Sequence, residues 1–302
     1  MEEERERRSW RLDALSAVAH LLPRGGGTFA RVAWRLLGLG GKSWKKTYHG
    51  YWMKLDFALE NQLSYWLGMY ERSTERALRA LLSPGALFID AGANLGYFSL
   101  LAAQLVGPEG RVVAFEAEPS IAADLRANVE ANPGYRVEVR AAAVGDRVGT
   151  AGFLSAPLTA RSTLKGGRRD VSPGHAEHFL MPTEEMEVRM TTLDEDCLEL
   201  ARSWEGRVVL KMDIEGVEPL ALAGAGGLLQ VLDAAIVEIW AELLEWHGFG
   251  PEDVYEPFLR RGFRPFRLPE GRGGRPEPID APLPGPMNAL FLREVDLLPG
   301  AG

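Results

Sequence analysis

Cysteine is nearly absent from this sequence. The 302 residues contain one, Cys197, which excludes an internal disulfide and a cysteine-based zinc site. A chain without disulfides fits a reducing compartment, so a cytoplasmic location is the expectation. Long apolar runs are missing too. No stretch of about 18 consecutive apolar residues occurs, so no transmembrane helix is predicted. The start, MEEERERRSW, lacks the basic character of a secretory leader, and Asp13 and His20 break the apolar segment behind it. Positive charge is outnumbered, 34 Lys and Arg against 42 Asp and Glu. The net charge of -8 makes the chain as a whole a poor match for nucleic acid.

What remains is globular in composition, 46% hydrophobic and 25% charged, with ample length for a real core. Charge is uneven, however. Between Ser9 and Lys46 stand Arg11, Arg24, Arg31, Arg35, Lys42, Lys45 and Lys46 against Asp13 alone, interleaved with leucines, alanines, Trp10 and Trp34. Residues 1–49 are expected to form a helical N-terminal extension, broken at Gly25–Gly27 and again at Gly38–Gly41. A basic amphipathic helix pair can lie on an anionic membrane. A cap packed on protein with a solvated basic face is the preferred reading. The apolar side needs cover, from the sheet's flanking helices or from a second copy of the chain.

From residue 50 to 302 a single domain is expected. YWMKLDF (51–57) alternates like a strand, and RSTERALRALL has helical spacing that Ser83-Pro84-Gly85 ends. A repeating grammar follows: strands at ALFID, GRVVAFEAE, YRVEVRAAAV, GRVVLKMDIEG and AAIVEIW, with helices at Tyr97 to Val106, Ile121 to Ala131 and Val217 to Leu232. Apolar strands alternating with helices indicate a mostly parallel sheet covered on both faces. YEPFLRRGFRPFRL reads as helix, glycine stop and strand, and MNALFLR as the last strand. Residues 155–185 break the pattern and are expected to form a long loop insertion, of the kind that is a lid, a specificity element or disordered.

The first strand, FIDAGANLGYFS, stops at Asp90 and turns through Gly92, Asn94 and Gly96. The dinucleotide fingerprint G-x-G-x-x-G lets backbone amides approach a pyrophosphate. Here the middle glycine of that cradle is missing, which disfavours an NAD-dependent oxidoreductase. A carboxylate at the strand end repels a diphosphate and suits a cationic amino group. The ligand expected is therefore nucleoside-like, with an ammonium tail and no phosphates. Glu116 ends the second strand about 20 residues on, where an acid accepts bonds from ribose hydroxyls.

The blocks FIDAGANLGYFSLLAA, VVAFEAEPS, VRMTTLDE and VVLKMDIEGVEPLALAGA resemble those of FkbM-type methyltransferases, and the likeness runs from about residue 50 to 295. The resemblance implies an α/β, Rossmann-like class I methyltransferase fold, with a seven-stranded, mostly parallel sheet whose last strand is antiparallel. It implies S-adenosylmethionine as cofactor and S-adenosylhomocysteine as product. Asp90, Gly92, Asn94 and Gly96 would flank the methionine end, Glu116 the ribose, and Ala143 with its neighbours from Ala142 to Asp146 the adenine. Asp146 is either an acceptor for the adenine amino group or a turn acid. Family members act in natural-product, sugar or glycolipid pathways, so a hydroxyl on a small molecule, sugar or lipid-linked compound is the expected methyl acceptor.

LKMDIEG ends a later strand with Asp213 and Glu215, two residues apart, and Glu238 ends the next. If strand geometry persists, both of the first two carboxylates share a face with Lys211. An aliphatic hydroxyl needs help to lose its proton. Asp213 is the first candidate for that base and Glu215 the second, unless Glu215 caps the helix near Val217. Carboxylates can also hold magnesium. That option ranks below a base, and no metal ligand is assigned. N-methylation is the alternative within the same chemistry, and a non-catalytic cofactor-binding module the alternative outside it. Ser162 and Thr163 match a hydroxyl-rich spot of the family and are candidate substrate contacts, as are Glu238 and His247. His175 and His178 read as part of a polar loop. Cys197 reads as packing.

Overall fold

A computed structural model describes residues 41–57, 59–155, 162–165, 184–269 and 274–294. Residues 1–40 of the helical extension expected over 1–49 lie outside the described residues, as do His175, His178 and most of the 155–185 insertion. The chain divides into two compact units, one holding residues up to Arg72 together with Ala127–Pro133, the other Ser73–Arg126 and Gly134 onward.

In the first unit, β1 (Lys42–Lys46) pairs antiparallel with β2 (Trp52–Asp56). The end of the expected helical extension is therefore a strand. Lys42, Trp44 and Lys46 alternate with Ser43 and Lys45 at period two, and β2 supplies ladder partners that a helix here would leave unused. Helix α1 (Glu60–Leu67) follows. Asn128 accepts from the Lys54 amide, and Asn132 both accepts from the Trp52 amide and donates to its carbonyl. These side-chain amides satisfy the β2 edge as a further strand would.

The second unit opens with α2 (Arg72–Leu81). Its buried residues Thr74, Ala77, Leu78 and Leu81 follow the i, i+3, i+4, i+7 spacing of one helix face. Next come β3 (Leu87–Ala91), α3 (Tyr97–Val106), β4 (Arg111–Glu116), α4 (Pro119–Glu130), whose last turn belongs to the first unit, and β5 (Val137–Ala141). The chain then runs through β6 (Ala143–Val144), β7 (Gly149–Ser155), β8 (Thr163–Leu164) and β9 (Glu184–Thr191). The remainder is α5 (Leu193–Arg202), β10 (Val208–Met212), α6 (Glu218–Ala223), α7 (Leu228–Val231), β11 (Ala234–Ile239), α8 (Ala241–Trp246), α9 (Pro251–Leu259), β12 (Arg264–Arg267), β13 (Glu277–Pro278) and β14 (Met287–Leu292).

The main sheet has the order β13-β12-β14-β11-β10-β3-β4-β5. Strands β11, β10, β3, β4 and β5 are mutually parallel and β14 is antiparallel to β11, as the resemblance implied. The count is eight, one more than expected, because the two-residue β13 adds to the edge at β12. Every residue of β3 and β10 is buried. That is the signature of central parallel strands covered on both faces, and it explains their near-continuous apolar sequence. Leu87, Ile89, Leu210, Met212, Ala235 and Val237 belong to one core cluster with Leu193, Leu228 and Phe258.

Two expectations need correcting. YRVEVRAAAV does not form one strand. It breaks at Ala142, where the chain leaves β5 of the main sheet for β6 of a second, four-stranded sheet ordered β6-β9-β7-β8. The long insertion is thus rooted in a sheet with its own small core, which includes Ala143, Phe153, Leu164, Val188 and Met190. Nor is Val217 to Leu232 one helix. It divides into α6 and α7 around Gly224–Gly227. A Cβ at Gly224 would lie 2.2 Å from the Gly145 carbonyl oxygen, and the amides that open α7 are held by the Asp194 carboxylate. Close approach of backbone to backbone requires glycine at position 224, and the Asp194 carboxylate caps the separate start of α7. No helix among the described residues is long and apolar enough to cross a membrane.

Candidate active site

Parallel sheets hold ligands beyond the carboxyl ends of their strands. The second unit carries its unusual polar groups there. Asp90 in β3 and Lys211 in β10 are register partners and the charged residues of two otherwise apolar strands. They are 1% and 2% exposed, a burial that is costly unless paired. Ser99 on α3 donates to Asp90 Oδ2 at 2.6 Å. Asp90 Oδ1 is buried with no partner among the described residues. Burial pushes the Asp90 carboxyl above its ordinary pKa, and the Lys211 charge and Ser99 bond oppose that rise.

After β3 the chain takes left-handed conformations at alternate residues: Gly92 (φ 84°), Asn94 (φ 52°) and Gly96 (φ 87°). Glycine and asparagine are the residues that tolerate this region best, so the odd spacing read from the sequence has a backbone cause. Gly92 also has a packing cause. A Cβ there would fall 1.9 Å from the Asp213 carbonyl oxygen, so the turn lies directly against the loop after β10. Glu116 closes the other side. Its Oε2 accepts from the Asn94 amide and its Oε1 from the Glu118 amide, both at 2.9 Å. Burial raises its pKa to about 7, against the lowering effect of those two bonds.

The second constellation is assembled by a loop. Strand β10 ends at Met212, so Asp213 and Glu215 are not brought to one side by strand alternation. Glu215 instead sits at φ 59°, a conformation that costs a residue with a Cβ about 1 kcal/mol. Even so, carboxylate oxygens of Asp213, Glu215 and Glu238 all lie within 4.8 Å of one another, close enough to hold a metal ion. Lys211 Nζ lies 3.0 Å from Asp213 Oδ2 and 5.2 Å above the Phe98 ring. Burial pushes Glu238 well above the usual carboxylate range, and the nearby charges of Asp213, Glu215 and Glu218 add to the effect.

Glu218 was not singled out in the sequence. Its Oε1 accepts from the amides of Ile214 and Gly216, just before α6, near the helix start that Glu215 was expected to cap if it is not the base. Burial lifts its pKa to about 7. Its signal is the third acid in DIEGVE, placed where a carboxylate can reach back to the free amides before a helix. Thr163 and His247, far apart in sequence, meet at the same loop. The Thr163 hydroxyl donates to the Glu215 carbonyl at 2.9 Å and lies 3.2 Å from His247 Nε2. Ser162 is half-buried beside it. Ala143 is in the core of the small sheet, and Asp146 is exposed and paired with Arg147. Cys197 is fully buried, with its thiol pushed up to about 12 mainly by that burial.

The chain has relatives. A family model described as "Methyltransferase FkbM domain" matches residues 90–265, more than half the chain. An arsenite methyltransferase from Halobacterium salinarum is 36% identical over 66 residues, which are 22% of this chain and 17% of that protein. The chain thus spans about a sixth of that curated relative's length. Among solved structures, an O-methyltransferase from Bacillus cereus in complex with S-adenosylhomocysteine is similar with a TM-score of 0.39 and 15% identity, over 73% of this chain and 79% of that one. An S-adenosylmethionine-dependent O-methyltransferase from Thermotoga maritima gives 0.35 and 12%, over 74% and 64%. The match spans the glycine turn, Glu116 and the acid-bearing loop, and on it the chain belongs to the FkbM methyltransferase family.

Proposed function

We propose that the chain methylates a hydroxyl group on a small molecule, sugar or lipid-linked acceptor, with Asp213 as the base. The observation that carries this reading is the convergence of Asp213 and Glu215, on the loop that Gly92 touches, with Glu238 of β11, beside Lys211 of β10. S-adenosylmethionine supplies an electrophilic methyl on a sulfonium. The residues fit it: the unpartnered buried oxygen of Asp90 suits its ammonium group, and Glu116 its ribose hydroxyls. In this reading Asp213 accepts the proton as the acceptor's O–H bond breaks and its new O–C bond forms, while the methyl–sulfur bond breaks and its electron pair stays on sulfur, so that S-adenosylhomocysteine leaves. Lys211 holds the Asp213 carboxylate in place. Alignment is the remaining contribution, since in-line displacement depends on it strongly.

One observation favours a second reading, metal-assisted O-methylation: the same three carboxylates are spaced to hold a divalent ion, which would lower the pKa of a bound hydroxyl. A single assay separates the readings. Methyl-labelled S-adenosylmethionine is offered with panels of hydroxylated sugars, phenols, glycolipids and amines, with magnesium and with EDTA. Transfer to hydroxyl compounds that survives EDTA supports Asp213 as unaided base. Loss in EDTA supports the metal, and transfer to amines alone overturns O-methylation.

A further inference from the structure

We propose that Thr163 and His247 form a latch that positions the acceptor-side carboxylates by fixing the backbone of Glu215. Proton accounting sets its polarity. The Glu215 carbonyl can only accept, so the Thr163 hydroxyl proton is committed to it at 2.9 Å. The hydroxyl oxygen then has only lone pairs to offer His247 Nε2 at 3.2 Å. His247 must therefore carry its proton on Nε2 and donate it to Thr163. Both side chains are buried, 1% and 0% exposed, where a hydrogen bond is stronger than it is in water.

The latch acts where the backbone needs it. Glu215 is one of few non-glycine residues with positive φ among the described residues, and such conformations persist only when their surroundings over-determine them. Glu218 holds the amides on either side, at Ile214 and Gly216, and the latch holds the carbonyl between them. Thr163 comes from β8, which is paired with β7, and His247 follows α8. Two elements remote in sequence thus converge on the orientation of one carboxylate. Neither residue needs to touch the acceptor. They are positioning residues, and their role rests on the reading of Glu215 as part of the acceptor site.

The test is NMR on isotopically labelled protein, with calorimetric titration of S-adenosylhomocysteine on the same samples. Long-range proton–nitrogen spectra should show His247, assigned by His247→Gln, as the Nε2–H tautomer. Carbon shifts of Glu215 should carry the left-handed signature in the wild type, lose it in Thr163→Val and regain it in Thr163→Ser. With an acceptor in hand, kcat should fall about 10- to 100-fold in Thr163→Val, as a small misplacement of a reacting group allows, and recover in Thr163→Ser. Affinity for S-adenosylhomocysteine should change less than about twofold, about a third of the 1.4 kcal/mol that a tenfold change represents. A left-handed Glu215 in Thr163→Val, or an Nδ1–H tautomer in the wild type, overturns the latch. Failure of the wild type to bind S-adenosylhomocysteine overturns the methyltransferase reading and leaves the latch to be judged by the shifts alone.

Discussion

Glu116 offers the most direct test of the cofactor site, through Glu116→Gln combined with pH. The ionised carboxylate now accepts from two backbone amides, at Asn94 and Glu118, and in the proposed complex it also accepts from ribose hydroxyls. Glutamine keeps the shape, loses the charge and replaces one accepting oxygen with an amino group. Losing charge-assisted bonds of this kind costs about 1–3 kcal/mol, or roughly 5- to 150-fold in the dissociation constant. Burial has raised the Glu116 pKa to about 7, so in the free protein it is mostly protonated at pH 6 and mostly ionised at pH 8. If the bound form needs the carboxylate, the Glu116 contribution to affinity is about tenfold larger at pH 8 than at pH 6. Other groups titrate in the same range, so the quantity to compare is the ratio of wild type to variant at each pH. Calorimetric titration of S-adenosylhomocysteine into both proteins supplies it, with melting curves to confirm folding. The ratio should shrink about tenfold on going from pH 8 to pH 6. Equal affinities at pH 8 in a folded variant refute the assignment of Glu116 to the ribose. A ratio that ignores pH refutes the ionised form as the one that binds.

Asp213→Asn should leave S-adenosylhomocysteine affinity intact and slow methyl transfer about 100-fold, as loss of a general base does; undiminished turnover on a hydroxyl acceptor would assign the base elsewhere. Glu218 bears on stability. Its folded pKa of about 7 lies above the ordinary 4.5, so its contribution is fully present below pH 4.5 and is lost as pH rises through 7. Between pH 6 and pH 8 the wild type should lose about 1 kcal/mol that Glu218→Gln does not, seen as a smaller fall in urea midpoint for the variant. Cys197, with its thiol raised to about 12, should resist iodoacetamide at pH 8 in the native protein and react only in denaturant; modification of folded protein, read by mass spectrometry, contradicts its burial.

Much of the molecule follows from local sequence. The alternation of apolar strands with helices dictates a covered parallel sheet. Asp90, Gly92, Asn94 and Gly96 specify their turn because three left-handed residues at alternate positions require just such side chains. The antiparallel β14 came from family resemblance, since MNALFLR carries no sign of its direction. Other features were invisible because they depend on contacts between distant segments. Where the helix from Val217 is interrupted, Gly224 meets Gly145, 79 positions away in the chain, a contact that no periodicity can report. The small sheet exists because β9 returns to pair with β6 and β7 on the far side of the insertion. At the site, strand alternation was expected to align Asp213 with Glu215. A left-handed loop does so instead, held by Glu218 from one turn away and by Thr163 and His247 from two remote elements. Residue types and short spacings name the groups that can do chemistry. Which of them face one another is decided by loop closure and burial, and these act only once the chain has folded.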